Sequence, residues 1–459
     1  MKKCLWSIIP ASLLIGLAGW VSRDASVSAQ ERIGSLGTPQ VASVNDAAEE
    51  APPISPAKSS GPLSLDACLE LGMQHQPTLD AANASLSAAV SGKRALDRLI
   101  IPRLFTPDLG VRKQQACLGI TIASAGVSQA EADTRYAITR NYFTVQFIRS
   151  QDQVVVDVQK NLKKAYDRAY KLYKSGDVDV KITAVDLEAI QVQIAMVKNK
   201  KSAIDNGMLK ALAALREAMG LLHDYPLEIA AVDLPPAVYA VKVPGKDKKE
   251  ETEYRQLYQI DKNAMIAAAN ANRGEMIQAS TASQVTNLEV QAQNKIRGWQ
   301  GRTFASGADI HESGVPQGVF NNDYRPYAIG ISMPPFLAGR KKDRMQRASD
   351  FDARAAAVVD KTTNLVALDV EAQYLKWQEA AEEVADLSSI LKLAQGLPQK
   401  VFDLDQKNYT SNAIIQANIT AIMVRTQLND AKHMHALALA GLERATAGAF
   451  RVYPVPSAK

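Results

Sequence analysis

The chain has 459 residues, a formal net charge of +5, modest Gly and Pro and only 6% aromatic residues. Setting aside an N-terminal export segment with Lys2, Lys3, Arg23 and Asp24 leaves about +3. That excess is too small for a nucleic-acid surface, and long basic runs with interleaved aromatics are missing. Ala, Leu, Val, Gln and Lys dominate, which is a helix-former composition.

Lys2 and Lys3 precede the apolar stretch Leu5 to Trp20, and small residues follow to Val27-Ser28-Ala29. This order predicts a signal peptide over residues 1–29, cleaved after Ala29, with an uncleaved membrane anchor as the open alternative. Cys4 leaves with it. Cys68 and Cys117 remain, both at apolar positions of helical patterns, and read as buried thiols. Residues 30–61 are rich in Ala, Ser, Pro and Glu with no apolar period, the composition of a disordered linker.

A helical repeat fills the rest. Arg112, Gln114, Ala116, Ala123, Val127, Tyr142 and Gln146 are met without a gap by Arg344, Gln346, Ala348, Ala355, Val359, Tyr374 and Gln378, all 232 positions on. Upstream, Ala67, Leu79 and Ala82 pair with Ala264, Met276 and Ala279 at an offset of 197. Two copies of one supersecondary unit follow, over 62–222 and 254–448, with a Pro-rich and charged connection at 223–253 and a tail at 449–459.

Three-four spacing of apolar residues predicts coiled-coil helices within each copy. One seam holds Val155, Val158, Leu162, Ala165, Ala169 and Leu172; another holds Ile182, Val185, Ala189, Val192 and Met196. Leu428, Ala431, His435, Ala438 and Leu442 continue the pattern in the second copy. Between the first two seams Gly176 supplies a left-handed helix stop, so the chain turns back there. A single helix from Arg112 to Lys174 would span roughly 95 Å. The basic cluster Arg340, Lys341, Lys342, Arg344 and Arg347 reads as a solvated helix face.

The offset change leaves an extra segment in the second copy, between about Gln293 and Arg340. There Phe304, Ser306, Ala308 and Ile310, then Tyr327, Ile329, Ile331 and Met333, alternate with small or polar residues, predicting a β-hairpin at about 303–333. Trp299, Phe320, Tyr324 and Phe336 surround it, and read either as an aromatic belt at a membrane surface or as ordinary strand and core aromatics. The first copy offers only Ile101 to Gly110 at the corresponding place.

Catalytic signatures are sparse. His433 and His435 stand two apart, on different sides of a helix, and His75, His223 and His311 lack partners at ligand spacing. P-loop, dinucleotide and nucleophile-elbow frames are missing. The expectation is a non-enzyme that calls for no cofactor and no metal.

Leu63-Ser64-Leu65-Asp66-Ala67-Cys68-Leu69-Glu70-Leu71 followed by His75-Gln76-Pro77-Thr78-Leu79 resembles the entry motif of TolC-like outer-membrane efflux proteins. Tyr327 to Gly339, Glu371-Ala372-Gln373-Tyr374 and Gly441-Leu442-Glu443-Arg444-Ala445-Thr446 resemble later motifs of that family. Tyr173-Lys174-Ser175-Gly176 and Tyr409-Thr410-Ser411-Asn412 resemble its helix-reversal element. The likeness runs from about Pro62 to Gly448.

The resemblance implies a mainly α fold, a TolC-like α-barrel of duplicated coiled-coil hairpins with the β-hairpin in the second copy only. It further implies a trimer that exports small molecules or polypeptides across the outer membrane, joined to a periplasmic adaptor and an inner-membrane pump. The reversals near Tyr173, Gly176, Asp177, Asp179, Tyr409 and Asn412 would form the periplasmic tip. Asp177 and Asp179 read either as a cation-attracting ring or as acids that favour the start of the next helix. One hairpin per protomer gives a trimer six strands, fewer than the eight or more of known bacterial barrels. A higher oligomer, a barrel shared with another protein and a tube that only touches the membrane are open readings, as is a periplasmic coiled-coil scaffold without a pore.

Overall fold

Two runs of four helices make up most of the computed structural model, which describes residues 61–99, 107–175, 183–230, 238–244, 250–255, 261–297, 339–404, 411–449 and 451–453. The first run is α1 (Leu65–His75), α2 (Pro77–Arg98), α3 (Leu109–Ser175) and α4 (Ala184–Ala218). Strands β1 (Val238–Pro244) and β2 (Glu250–Arg255) come next. The second run is α5 (Lys262–Asn272), α6 (Gly274–Lys295), α7 (Lys341–Leu404) and α8 (Ser411–Ala445), and β3 (Arg451–Tyr453) ends the described chain. The 67-residue α3 is about 100 Å long at the standard rise.

The duplication holds element by element. Helices α1 and α5 have 11 residues each, α2 and α6 have 22 each, and α4 and α8 have 35 each. Caps match too. Ser64 accepts the Ala67 amide at the start of α1, and Asp261, its counterpart, accepts the Asn263 amide at the start of α5. Gln76 and Arg273, again counterparts, are the extended residues that break α1 from α2 and α5 from α6. Pro77 explains the first break, since a proline is tolerated only in a helix's first turn.

Each copy has its own core where the short first helix meets the long pair. In the first, Cys68 of α1 packs with Ile138, Tyr142 and Val145 of α3, Ala211 and Leu215 of α4, and the returning Leu221 to Ile229 segment. In the second, Met265, Val370, Trp377, Ala438 and Leu442 hold the corresponding places. One exchange conserves volume. Gly72 lies so close to Ile138 that an added Cβ would stand 2.2 Å from its Cδ1, whereas the second copy pairs Ala269 with the shorter Val370. Nearer the hairpin's far end, Ala169, Leu187 and Ile190 form a smaller cluster with Tyr166 and Ile194.

Several expectations change. Val185, Val192 and Met196, read as the α4 seam, are exposed; Leu187, Ile190 and Ile194 face α3 instead. Helix α4 carries two apolar stripes, and spacing alone does not say which one its own partner covers. Cys68 is fully buried, but Cys117 is exposed on α3. Arg344 is fully buried rather than part of a solvated face.

The segment read only as a connection carries β1 and most of β2. β1 pairs antiparallel with both neighbours, Tyr239 opposite Arg255 on one side and opposite Val452 on the other. A parallel bridge between Leu63 and Ile229 fastens the start of α1 to the end of the first copy. The expected β-hairpin, with Phe304, Ile310, Tyr327, Ile329, Ile331 and Met333, lies outside the described residues.

Candidate functional site: open helix faces and the joint between copies

Helix α3 has neighbours from both copies, since α2 and α4 of its own copy and α6 and α8 of the other pack against it. Its counterpart α7 packs chiefly with α5, α6 and α8 among the described elements. The missing neighbours correspond to α2 and α4, each of which uses one flank only.

Side chains record this difference. Ala436 of α8 and Phe143 of α3 share one core and are 2% and 3% exposed. Their counterparts Leu209 of α4 and Leu375 of α7 are 65% and 54% exposed. Along the same line of α4, Ala203, Asn206 and Ala213 are exposed where Asp430 and Ala440 of α8 are buried and His433 is half-buried. In α2 only Leu79 is buried, while nine residues of α6 are, so α2 turns a face of Ala84, Ser85, Gly92 and Ala95 to solvent.

Polar chemistry fastens the two copies to each other. Arg112 of α3 grips Glu289 of α6 with two nitrogens and donates through Nε to Asp108 at 3.0 Å. Gln293, one turn on, donates to Glu289 at 2.6 Å and accepts from Arg344 of α7 at 3.0 Å. Arg344 also donates to the carbonyls of Gly339 and Ile296, which flank the 298–338 segment. Burial pushes the Glu289 carboxyl up, but the bonds from Arg112, Gln293 and Gln115 outweigh it and hold the group below its usual range.

A second network lies at the break between α5 and α6. Arg273 donates to Asp369 of α7 at 2.7 Å and to Glu275, and Arg444 of α8 pairs with Asp133 of α3. Arg273, Glu275, Arg444 and Asp133 border a cavity of about 500 Å³ that Ser128, Gln129 and Tyr136 also line. Two of its cations are paired, Arg273 with Glu275 and Arg444 with Asp133. Among the described residues no group of three or more His, Cys, Asp and Glu could hold a metal ion, and no helix is long and apolar enough to cross a membrane.

Of the residues expected at the reversal tip, Tyr173 is exposed in the last turn of α3 and Asn412 stands in the first turn of α8. Gly176, Asp177, Asp179 and Tyr409 lie outside the described residues. Sequence reasoning noticed Arg112 and Arg344 as repeat landmarks but missed their meeting, because the acid and amide between them sit in a third helix. It also missed Leu209 and Leu375; comparing each residue with its repeat counterpart was the available signal.

No family model matches the sequence, and no curated protein does. Solved structures do match. The outer membrane protein VceC of Vibrio cholerae superposes with a TM-score of 0.60 at 14% identity, covering 84% of this chain and 96% of that one. The outer-membrane channel OprN gives 0.62 at 11% identity over 90% and 98%. The open state of the MtrE outer membrane channel of Neisseria gonorrhoeae gives 0.58 at 14% identity over 84% and 89%. At such identities the likeness speaks to architecture, and the agreement extends over nearly the whole of each partner: the chain has the fold of the TolC-like outer-membrane channels.

Proposed function

We propose that this protein is an outer-membrane efflux channel component. Copies join head to tail into a closed ring, a trimer in the reading taken from the fold, and the ring encloses the export path. A periplasmic adaptor and an inner-membrane pump supply the cargo and the energy, the 303–333 segment enters the outer membrane, and the reversals form the periplasmic end. The single observation that carries this reading is the pair Leu209 and Leu375, exposed where Ala436 and Phe143 are buried. An interface built on two different faces of the same molecule is heterologous, and it closes into a ring when the rotation between neighbours divides a full turn.

Charge supports the same pairing. Inside the chain Arg425 of α8 donates to Asp157 of α3 at 2.8 Å. The counterpart of Arg425 is Lys198, an exposed cation on α4. The counterpart of Asp157 is Ser389, and one turn before it α7 exposes Asp386 at the place where α3 buries Val154. A head-to-tail seam therefore brings opposite charges within reach of each other.

Cysteines at Leu209 and Leu375 test the arrangement. With both substitutions in one chain that also carries Cys117→Ser, mild oxidation in membranes should give a closed covalent ladder ending at the oligomer, and each single substitution in the same background should give no ladder. A monomeric double variant under oxidation, with the fold intact, would defeat the head-to-tail ring. Conductance of the purified oligomer in a planar bilayer separates a channel from a closed scaffold.

A further inference from the structure

Asp430, His433 and His435 lie close together on α8 and turn toward different neighbours. The Trp377 Nε1–H of α7 can only donate, so His435 Nε2, 3.0 Å away, carries a lone pair and the ring proton sits on Nδ1. His433 is arranged the other way. The Thr144 hydroxyl of α3 donates to the Arg140 carbonyl at 2.8 Å, which leaves its oxygen to accept Nε2–H from His433 at 3.4 Å. Two residues apart, the histidines hold opposite tautomers.

Protonation therefore affects them differently. A charged His433 still donates to Thr144 and lies flat on the Phe147 ring, 4.5 Å between centroids. In a charged His435 both nitrogens are donors, and Nε2–H meets the Trp377 N–H head on. We propose that the Trp377–His435 bond is an acid-released latch that joins α7 to α8 while the imidazole is neutral and lets go when it gains a proton.

The surroundings favour a latch that is closed at neutral pH and finds no counter-charge when it opens. Burial pushes His435 down to about 4, and burial together with Arg140 of α3 does the same to His433. Asp430, which faces Gln151 of α3, Glu383 of α7 and Lys200 of α4, is pushed up to about 7 by burial, so it is already neutral when His435 takes its proton. On α7, Lys376 stands next to Trp377 in the chain and interacts with Asp369. β3, the remaining element packed on α8, follows that helix's end and carries Arg451 and Tyr453.

The latch belongs to one hairpin only. The counterparts of Trp377 and His435 in the first copy are Val145 and Met208, an apolar pair with nothing to titrate. Acid then loosens the second hairpin and leaves the first alone. The inference concerns contacts inside one chain and stands whether or not the channel reading does.

Tryptophan emission of the full chain, followed from pH 7 to 3.5 beside the W377F variant, isolates the Trp377 signal, and far-UV circular dichroism follows the helices. The expected result is a loss of Trp377 emission centred near pH 4 with helicity unchanged. His435→Gln, which still accepts from Trp377, and His435→Met, the residue of the first copy, should each abolish that loss, whereas His433→Gln should keep it. A Trp377 signal that is flat across the range, or one that falls identically in both His435 variants, would overturn the proposal. So would a fall that coincides with loss of helicity.

Discussion

Arg112 and Arg344 occupy the same position of the two copies and reach each other through Glu289 and Gln293 on α6, so one buried chain of bonds runs from α3 to α7. The counterparts of Glu289 and Gln293 on α2 are Gly92 and Leu96, which cannot extend such a chain. The network is a property of the joint between copies and not of the repeated unit.

Removing the carboxylate should therefore cost more than an ordinary surface change. Glu289→Ala leaves the Arg112 guanidinium buried with Asp108 as its remaining acid, and a loss of about 3–5 kcal/mol in denaturant unfolding is expected. The pH dependence has a definite sign. Because the folded Glu289 carboxyl titrates below its unfolded value, its contribution is fully present above the unfolded value and disappears as pH falls through the folded one. Glu289→Gln should flatten that acid limb; an unchanged limb would count against the assignment.

Asp430 should behave in the opposite sense. Its folded carboxyl is raised to about 7 by burial, so the stability it lends is complete below the unfolded value and is lost as pH rises toward 7. Asp430→Asn mimics the neutral form, keeps an acceptor for Gln151 and should stabilise the chain at pH 8 by roughly 2–4 kcal/mol. Melting curves at pH 5 and pH 8 measure it, with a smaller gain expected at the lower pH.

The ends of α4 and α8 make a matched pair of tests. Both close with the same turn, Leu221 bonding back to Arg216 and Gly448 to Glu443, and the turn needs a left-handed residue. Gly220 supplies it at φ 67° in the first copy, and Ala447 takes φ 53° in the second. A side chain in that region costs about 1–2 kcal/mol, so Ala447→Gly should stabilise by about 1 kcal/mol in thermal or denaturant unfolding. Gly220→Ala should be severely destabilising, because its Cβ would stand 2.3 Å from the His75 carbonyl oxygen.

A charge swap probes the seam between protomers without cysteines. Lys198→Glu should weaken the oligomer in detergent, Asp386→Lys should do the same, and the double exchange should restore it in part. Screening makes the effect largest at low ionic strength. Equal oligomer mass for the parent and all three variants would remove this pair from the interface.

Much of the architecture was legible because helical periodicity and internal repetition are local signals: the shared offsets of Arg112 with Arg344 and of Ala67 with Ala264 placed the long helices and the short ones before them. What escaped depends on partners distant in sequence. Which α4 stripe is covered depends on α3, and β1 is completed by β3 at the other end of the chain. Cys117 shows the same limit, since an apolar position in a helical pattern faces solvent when its neighbour is another molecule or none. Residues 176–182, 298–338 and 405–410, where several candidate site residues fall, lie outside the described structure.

The Arg112–Glu289–Gln293–Arg344 chain gives the molecule a way to tell self from sibling. Halves that descend from one ancestor offer almost interchangeable docking partners, and a growing polypeptide risks inserting a stranger's second half where its own belongs. Arg112, Glu289, Gln293 and Arg344 bond inside one chain, whereas the outer flank of α2 offers Gly92 and Leu96 at the matching places, so a second copy docking there would find no such bonds.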